Sequence, residues 1–226
     1  GLTGGLLLDQ LIVDSTYDKI KLFSRSSVAS TSEKVEEYLA DTLELELYQE
    51  QFTGDEVFCC IGTTALKTPN KKKYKAIDYG IPVSAATLAK RNGIATFIVL
   101  SSMGADSKSS VFYSKTKGEM ECDVLLQNVP HTFILRPSLI GGHRNEYRLG
   151  EKIAKVAMRL LNPILIGDFK KFRIIHPEKI AKCMQIVARS KTQEVFLDSD
   201  KILISKPIVP KVPSKFLNKN NKNSKI

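Results

Sequence analysis

The sequence has few of the residues that build metal centres or covalent cross-links, with four cysteines and three histidines in 226 residues. No two cysteines form a CxxC pair, and no histidine lies at the spacing that metal ligands use. Cys59 and Cys60 are neighbours in an apolar segment, where the side chains of a strand point to opposite faces. We therefore expect reduced thiols and no bound metal.

Long hydrophobic runs are also absent. No apolar run approaches the ~20 residues that a membrane-spanning helix needs, and no signal-peptide pattern is visible. Together with reduced cysteines, these absences predict a cytoplasmic protein that has neither a membrane nor a specific nucleic acid as its partner.

Acidic residues are missing from the C-terminal segment. From Lys201 to Ile226 there are seven lysines and no Asp or Glu, so most of the formal net charge of +10 lies there. The segment is rich in Asn and Pro and has no periodicity, which predicts a flexible, solvated basic tail over 206–226. Because no internal repeat or Gly/Ser-rich linker divides the rest, we assign 1–205 to one domain, in which 143–205 contributes a small cap on the substrate side.

Apolar β-branched runs alternate with helical segments along the chain. Repeated strand–helix units of this length predict an α/β fold with a Rossmann-like, doubly wound parallel sheet. No strand precedes Gly1, so we expect the first strand of such a sheet to lie upstream. The predicted strands are Lys19–Phe23, Lys34–Leu39, Val57–Ile61, Ile94–Leu100, His131–Arg136 and Glu194–Leu197, and the predicted helices include Glu44–Phe52, Lys71–Arg91, 113–127 and Pro177–Ala188.

A tyrosine and a lysine four residues apart follow one of these strands. Tyr113 and Lys117 would share one face of a helix, and Ser101 ends the preceding strand. An adjacent ammonium favours the phenolate, so a tyrosine can act as general acid or base, and a serine hydroxyl can polarise a substrate carbonyl. The pattern predicts a tyrosine-dependent proton-transfer site. Ser102 points the other way along the strand and is the less favoured hydroxyl, although a turn could reverse this.

Glycines and small polar residues stand where a dinucleotide phosphate would bind. We interpret Gly1 and Gly4 as the second and third glycines of a G-x-x-G-x-x-G turn, whereas a frame that starts at Gly1 would put Leu7 at the third position. NAD specificity calls for Asp or Glu at the end of the next strand, where this chain has Ser24 followed by Arg25. A guanidinium flanked by hydroxyls suits a 2′-phosphate, which favours NADP.

Five sequence blocks in order carry a resemblance to a known family. They are VFCCIGTT at 57–64, Asp78-Tyr79, SSMGAD at 101–106, FY with KGE at 112–119, and RPSLIG at 136–141. With these blocks the chain resembles the atypical short-chain dehydrogenase/reductases of the Tat-interacting-protein (oxidoreductase) type, which are related to nucleoside-diphosphate-sugar epimerases. The resemblance runs from Gly1 to about Ser205.

This resemblance implies an NADP(H)-binding oxidoreductase with a carbonyl or alcohol substrate. Related dehydrogenases often pair through the helices that flank the active site, so a homodimer is one of the oligomeric states left open. A second function stays open, that of an NADP(H)-sensing regulator that acts through a protein partner with little turnover. The complete set Ser101, Tyr113 and Lys117, which the resemblance implies to be catalytic, favours the enzyme. The implied cofactor-binding residues are Gly1, Thr3, Gly4, Arg25, Ser26, Asp41, Thr42, Gly62, Thr63, Thr64, Ser101, Tyr113, Lys117, Pro137, Ser138 and Leu139.

Overall fold

The computed structural model describes residues 1–138, 140, 175–190, 192 and 194–204. Leu139, most of the predicted cap and the predicted basic tail lie outside these residues. Strands and helices alternate within them. The strands are β1 (Ile20–Ser24), β2 (Val35–Leu39), β3 (Glu56–Cys59), β4 (Thr96–Leu100), β5 (His131–Arg136) and β6 (Phe196–Asp198). The helices are α1 (Leu2–Val13), α2 (Lys71–Lys75), α3 (Ile81–Arg91), α4 (Phe112–Leu126), α5 (Pro177–Ala188) and α6 (Ser199–Ile204).

All strand pairs are parallel, as the sequence predicts, but they form two hydrogen-bonded groups. One is β1–β2, and the other has the order β3-β4-β5-β6. In the larger group Val57 of β3 is opposite Phe97 of β4, and Ile134 of β5 is opposite Val99. No strand of the described residues joins β1 to β3, so the single sheet expected from the sequence is divided at that point.

Side chains connect the two groups of strands. Phe23 of β1 packs against the ring of Phe52 at a centroid distance of 5.2 Å and contacts the core beside β3. The Nζ of Lys21 donates to the carbonyl oxygen of Gln51 at 3.0 Å, and the hydroxyl of Tyr17 donates to Glu56 at 2.7 Å. The two groups therefore share one body of packed side chains.

The larger group of strands is covered on both faces, which is why successive residues inside β3, β4 and β5 are apolar. Successive residues of β4 alternate between the two faces. Phe97 packs with Leu88 of α3 and Met120 of α4, whereas Ile98 packs with residues of α1 and α5 such as Met184. These two layers hold the carboxyl ends of the strands in place.

A π-turn interrupts the long helix predicted over Lys71–Arg91. Residues Ala76–Gly80 form this turn between α2 and α3. Pro82, near the start of α3, has no backbone N–H to donate to the preceding turn, so the regular ladder opens there. The turn contains the buried Asp78. The helix ends, as predicted, at Asn92 and Gly93, and Gly93 has a φ of 69°.

Two further elements differ from the sequence prediction. Instead of the helix predicted over Glu44–Phe52, the structure has a 3-10 helix over Thr42–Tyr48. It begins two residues earlier than predicted because the Asp41 side chain caps its start. Helix α5, which falls within the predicted cap, packs on α1 and on the sheet and so forms part of a main layer. Among the described helices, none is long and apolar enough to cross a membrane.

Candidate active site

The loops that follow β4 and β5 lie side by side at the carboxyl ends of the strands. The N–H of Ser101 donates to the carbonyl oxygen of Leu135 at 2.8 Å, and that of Met103 donates to Pro137 at 2.9 Å. Open α/β sheets bind ligands at this edge. The hydroxyl-bearing segment after β4 is therefore placed where the sequence predicts a site.

A buried ion pair lies beside this edge. The Nζ of Lys117 in α4 is 2.9 Å from Oδ1 of Asp78, and the two side chains are 5% and 1% exposed. The second carboxylate oxygen of Asp78 accepts the backbone N–H of Thr63 at 2.7 Å. The predicted site lysine is thus fixed by a carboxylate from the π-turn, which in turn is fixed by the loop after β3.

Gly62, one of the predicted cofactor residues, packs against this ion pair. A Cβ built on Gly62 would lie 3.5 Å from Oδ1 of Asp78 and 4.0 Å from Nζ of Lys117. Gly62 is itself exposed, so it lies between the ion pair and solvent. Beyond it, the hydroxyls of Thr63 and Thr68 are 2.9 Å apart, and the hydroxyl of Thr64 accepts the N–H of Lys67 at 3.4 Å.

Tyr113 lies one turn before Lys117 on α4, as the spacing predicts. Its side chain is 42% exposed, whereas Lys117 is buried. The ring of Tyr113 packs edge-on against that of Tyr74 in α2, with centroids 6.5 Å apart. The structure therefore places an exposed tyrosine one helical turn from a buried lysine whose ammonium already has a counter-ion.

Ser101 is buried and its hydroxyl is engaged inside the fold. Its Oγ donates to Oε1 of Glu121 in α4 at 2.5 Å. Glu121 also receives two hydrogen bonds from the guanidinium of Arg136, at 2.9 Å and 2.5 Å. This Ser–Glu–Arg network joins α4 to β4 and β5, so the structure gives Ser101 a bracing contact.

Ser102 has the hydroxyl that the fold leaves available. It is also buried, and its Oγ finds no hydrogen-bond partner within the described part of the chain. A buried hydroxyl without a partner costs about 1–3 kcal/mol. The geometry thus favours Ser102 over Ser101 as the hydroxyl for a ligand oxygen, because the turn after β4 alters the simple strand alternation.

Gly118 allows α4 to approach the loop before it. A Cβ at this position would lie 2.1 Å from the backbone nitrogen of Ser107 and 2.3 Å from the carbonyl carbon of Asp106. No side chain fits at these distances. The glycine of the KGE block therefore sets how closely α4, with Tyr113 and Lys117, lies against the loop after β4.

The predicted phosphate turn lies at the start of α1. Gly1 is the N-cap residue of this helix, with no side-chain cap, and Thr3 is buried in its first turn. A Cβ on Gly4 would lie 3.3 Å from the Cβ of Cys60, just beyond β3. Close approach of helix and strand is what the third glycine of such a turn permits, and the assignment of Gly4 to that position stays a prediction.

The predicted 2′-phosphate residues follow β1 on the surface. Arg25 and Ser26 are exposed. The carboxylate of Glu37 in β2 holds the adjoining loop by accepting from the hydroxyl of Ser27 at 2.5 Å. The charge of Glu37 lies close to a position assigned to a phosphate, which weakens the local positive potential.

The remaining predicted cofactor residues have structural contacts of their own. The carboxylate of Asp41 accepts the N–H of Leu43 at 3.0 Å, and Thr42 is buried. Pro137 is buried after β5, and the N–H of Ser138 donates to Ser199 at 2.6 Å. Leu139 lies outside the described residues.

Sequence reasoning missed Asp78 and Glu121 as parts of this site. Asp78 was visible only as part of the Asp78-Tyr79 block, since its contact with Lys117 joins two distant segments. Glu121 had a stronger signal, because it follows Tyr113 and Lys117 at the same four-residue spacing and on the same face of α4. A carboxylate on a face that becomes buried needs a partner, which here is Arg136.

Cysteine and metal chemistry have no visible place in this region. All four cysteines carry free thiols. Burial raises the pKa of Cys59 to about 11 and that of Cys60 to about 12, which keeps both thiols protonated and unreactive. Among the described residues, no cluster of three His, Cys, Asp or Glu side chains is arranged to hold a metal.

Known proteins with similar sequences identify the family. No protein-family model matches the chain. Protein FMP52, mitochondrial, from Debaryomyces hansenii is 30% identical over 197 residues, with 74% of this chain and 87% of that protein covered. The Candida albicans protein of the same name is 37% identical over 145 residues, covering 59% of this chain and 63% of that protein. Protein HTATIP2 from Rattus norvegicus is 33% identical over 159 residues, covering 69% and 65%.

The chain belongs to the FMP52 family of atypical short-chain dehydrogenase/reductases. The resemblance drawn from the five sequence blocks is thereby confirmed. The chain spans just under two thirds of the Candida albicans relative.

Solved structures agree on the fold. UDP-glucose 4-epimerase from Thermotoga maritima superimposes with a TM-score of 0.64 at 15% identity, covering 88% of this chain and 74% of that one. MoeE5 in complex with UDP-glucuronic acid and NAD superimposes with a TM-score of 0.63 at 14% identity, covering 87% and 72%. At this level of identity the likeness shows the fold, and the predicted Rossmann-like α/β class is confirmed.

The predicted localisation is wrong. FMP52 relatives from several yeasts are mitochondrial by name, which contradicts the expectation of a cytoplasmic protein. That expectation was drawn from reduced cysteines and from the lack of an apolar leader. Neither feature separates the cytosol from other reducing compartments.

Proposed function

We propose that this FMP52-family protein is an NADP(H)-dependent oxidoreductase that interconverts a carbonyl and an alcohol, with Tyr113 as general acid and base. The observation that carries the proposal is the position of an exposed tyrosine one helical turn from a buried lysine, beside the carboxyl ends of parallel strands. This is the arrangement in which a phenol can exchange a proton with a ligand bound at the strand ends.

The residues of the chain fit a dinucleotide at this edge. The close approach of Gly4 to Cys60 brings the start of α1 next to the end of β3, where backbone N–H groups favour phosphate. Exposed Gly62 gives access to the strand ends, and Ser24 stands where NAD-binding proteins place an acid. When bound, a nicotinamide dinucleotide supplies the hydride. Arg25 is proposed to hold the 2′-phosphate that makes NADP the preferred form.

Each protein group then has a separate task. Tyr113 gives its hydroxyl proton to the substrate oxygen in reduction and takes it back in oxidation. Ser102 donates its otherwise unpartnered hydroxyl to the same oxygen, so the role predicted for Ser101 passes to its neighbour. Lys117, held by Asp78, keeps a positive charge beneath Gly62, where cofactor hydroxyls would lie.

We also propose a mitochondrial location, from the names of the relatives.

A cofactor titration and a carbonyl panel test the proposal. NADPH fluorescence should be perturbed by the parent protein and by Tyr113→Phe alike, because the ring is kept and only the proton is lost. Turnover of a carbonyl panel that includes phenanthrenequinone should be lost in Tyr113→Phe and kept in Tyr79→Phe. Tyr79 is the matched control because its hydroxyl donates to Asp123 at 2.5 Å, away from Lys117.

Two outcomes would contradict this function. Turnover by Tyr113→Phe at the parent rate would remove Tyr113 from the chemistry. Tight NADPH binding without turnover of any carbonyl would instead favour a nucleotide-sensing protein that acts through a partner.

A further inference from the structure

A second tyrosine is buried beside the proposed proton-transfer residue. Tyr74 in α2 is 3% exposed, and its ring is held edge-on by Phe112 and Tyr113, with centroids at 5.5 Å and 6.5 Å. Its hydroxyl is fully buried and has no hydrogen-bond partner among the described residues. Buried hydroxyls are almost always paired in folded proteins, so this one calls for an acceptor that forms during function.

The surroundings of Tyr74 make it a donor. Burial, together with the negative charge of Asp78 and of an ionised Tyr113, raises its pKa. Tyr74 therefore keeps its proton over the physiological range. Both carboxylate oxygens of Asp78 already accept hydrogen bonds, from Lys117 and Thr63. The ring of Tyr113 packs against Tyr74, and its phenol oxygen gains acceptor strength once it loses its proton.

We propose that Tyr74 is a positioning residue that donates a hydrogen bond to the phenol oxygen of Tyr113 once Tyr113 has given up its proton. The inference rests on the proposed function of Tyr113. In the step itself, the Tyr113 O–H bond breaks, its proton moves to the substrate oxygen, and the negative charge stays on Tyr113. The proton of Tyr74 remains covalently bound throughout, and solvent later returns a proton to Tyr113.

The charge balance of the site explains why such a donor is useful. Lys117 is one turn from Tyr113, but Asp78 offsets its charge at 2.9 Å. The other charged side chains of α2 and α4 that contact neighbouring side chains include Lys71, Lys75, Glu119, Glu121 and Asp123, of which Glu121 pairs with Arg136 and Asp123 accepts from Tyr79. Lys75 and Glu119 pair with each other at 2.7 Å, and the Nζ of Lys71 lies 5.5 Å from the centroid of the Phe112 ring. A neutral hydrogen-bond donor next to Tyr113 stabilises its phenolate. Lys117 stabilises that phenolate only weakly, because Asp78 offsets its positive charge.

The test is a pH titration of the whole chain with tyrosine labelled at Cζ, followed by NMR without cofactor or substrate. The signal absent from Tyr113→Phe identifies Tyr113. In Tyr74→Phe its titration midpoint should move to higher pH by about one unit, the tenfold effect expected for a lost hydrogen bond to a charged oxygen. The control Tyr79→Phe should leave the midpoint unchanged, since Tyr79 donates to Asp123.

An unchanged midpoint in a folded Tyr74→Phe protein, with the parent melting temperature, would overturn the inference. If Tyr74→Phe unfolds, Tyr74→Met, which also lacks the hydroxyl but fills most of the space of the ring, should fold and move the midpoint to higher pH in the same way. An unchanged midpoint in a folded Tyr74→Met protein would also overturn it. Because the titration needs no turnover, it separates this inference from the proposed function. If the midpoint moves but the parent protein turns over no carbonyl, only the proposed enzymatic function is contradicted.

Discussion

Lys117 and Asp78 form an ion pair at 2.9 Å in which neither side chain is more than 5% exposed. The carboxylate comes from a π-turn and the ammonium from α4, so the pair joins the two helices that carry the proposed site. The N–H of Thr63 fixes the carboxylate from the strand side. The position of the site lysine is therefore determined by three separate segments of the chain.

Asp78→Asn should destabilise the protein by about 3–5 kcal/mol, because it leaves a buried ammonium without a counter-ion. Urea unfolding measures this loss. Glu119→Gln is the matched control, since it removes a carboxylate from a more exposed pair with Lys75 and should cost only about 0–1 kcal/mol. Equal losses would show that Lys117 is not held by Asp78. The double variant Lys117→Met with Asp78→Leu should regain most of the stability.

Ser101→Ala and Ser102→Ala should have opposite effects on stability. Ser101→Ala removes a donor from buried Glu121 and should cost about 1–3 kcal/mol of unfolding free energy. Ser102→Ala removes a buried hydroxyl without a partner and should raise the unfolding free energy by about 1–3 kcal/mol. Its turnover of a carbonyl probe with NADPH should fall by about 10²–10³, the usual effect of losing a donor to a developing oxyanion. A catalytic loss larger in Ser101→Ala, with stability unchanged, would return the role to Ser101.

Arg25→Ala should weaken NADPH binding far more than NADH binding. A charge-assisted hydrogen bond to the 2′-phosphate is worth about 1.5–3 kcal/mol, which corresponds to a loss of roughly ten- to a hundredfold. Fluorescence titration with both cofactors measures it. Arg91→Ala, another exposed arginine at the far end of α3, should change neither affinity. Equal losses for NADPH and NADH would contradict the assignment of Arg25.

Asp14 should make stability depend on pH in the acid range. Burial acts to raise its pKa, but hydrogen bonds from Thr16 and Arg189 outweigh burial and hold it at about 2, below its ordinary 3.8. The folded form thus favours the ionised carboxylate, whose Oδ2 also accepts from Gln185 of α5 at 2.6 Å. Its contribution is fully present above the ordinary pKa and is lost as pH falls towards 2.

Urea unfolding at a series of pH values tests this. Asp14→Asn should be less stable than the parent near neutral pH, and the difference should shrink below pH ~4. Asp9→Asn, an exposed position on the same helix, should follow the parent curve throughout. A constant difference between Asp14→Asn and the parent would mean that the carboxylate charge does not link α1 to α5.

Local patterns in the sequence determined most of the elements. The strand His131–Arg136 and the helix Pro177–Ala188 have the predicted bounds, because buried apolar residues recur there at the period of each structure. The same reasoning put Tyr113 and Lys117 on one helix face, which depends on spacing alone. The family was also predictable from the sequence, because its five blocks are short runs of adjacent residues that need no tertiary contact to be identified.

Contacts between distant segments were decided only by the tertiary structure. The pairing of Lys117 with Asp78 depends on how α4 crosses the π-turn, and that turn arises where Pro82 withholds an N–H. Which of two adjacent serines is bonded to Glu121 depends on the turn after β4 and on the depth of α4, which Gly118 sets. The residues around a position in the sequence determine whether its segment forms a helix or a strand and which face of that element the position occupies. Its charge partner and the environment of its hydroxyl are fixed by packing, which brings together groups that no local pattern relates.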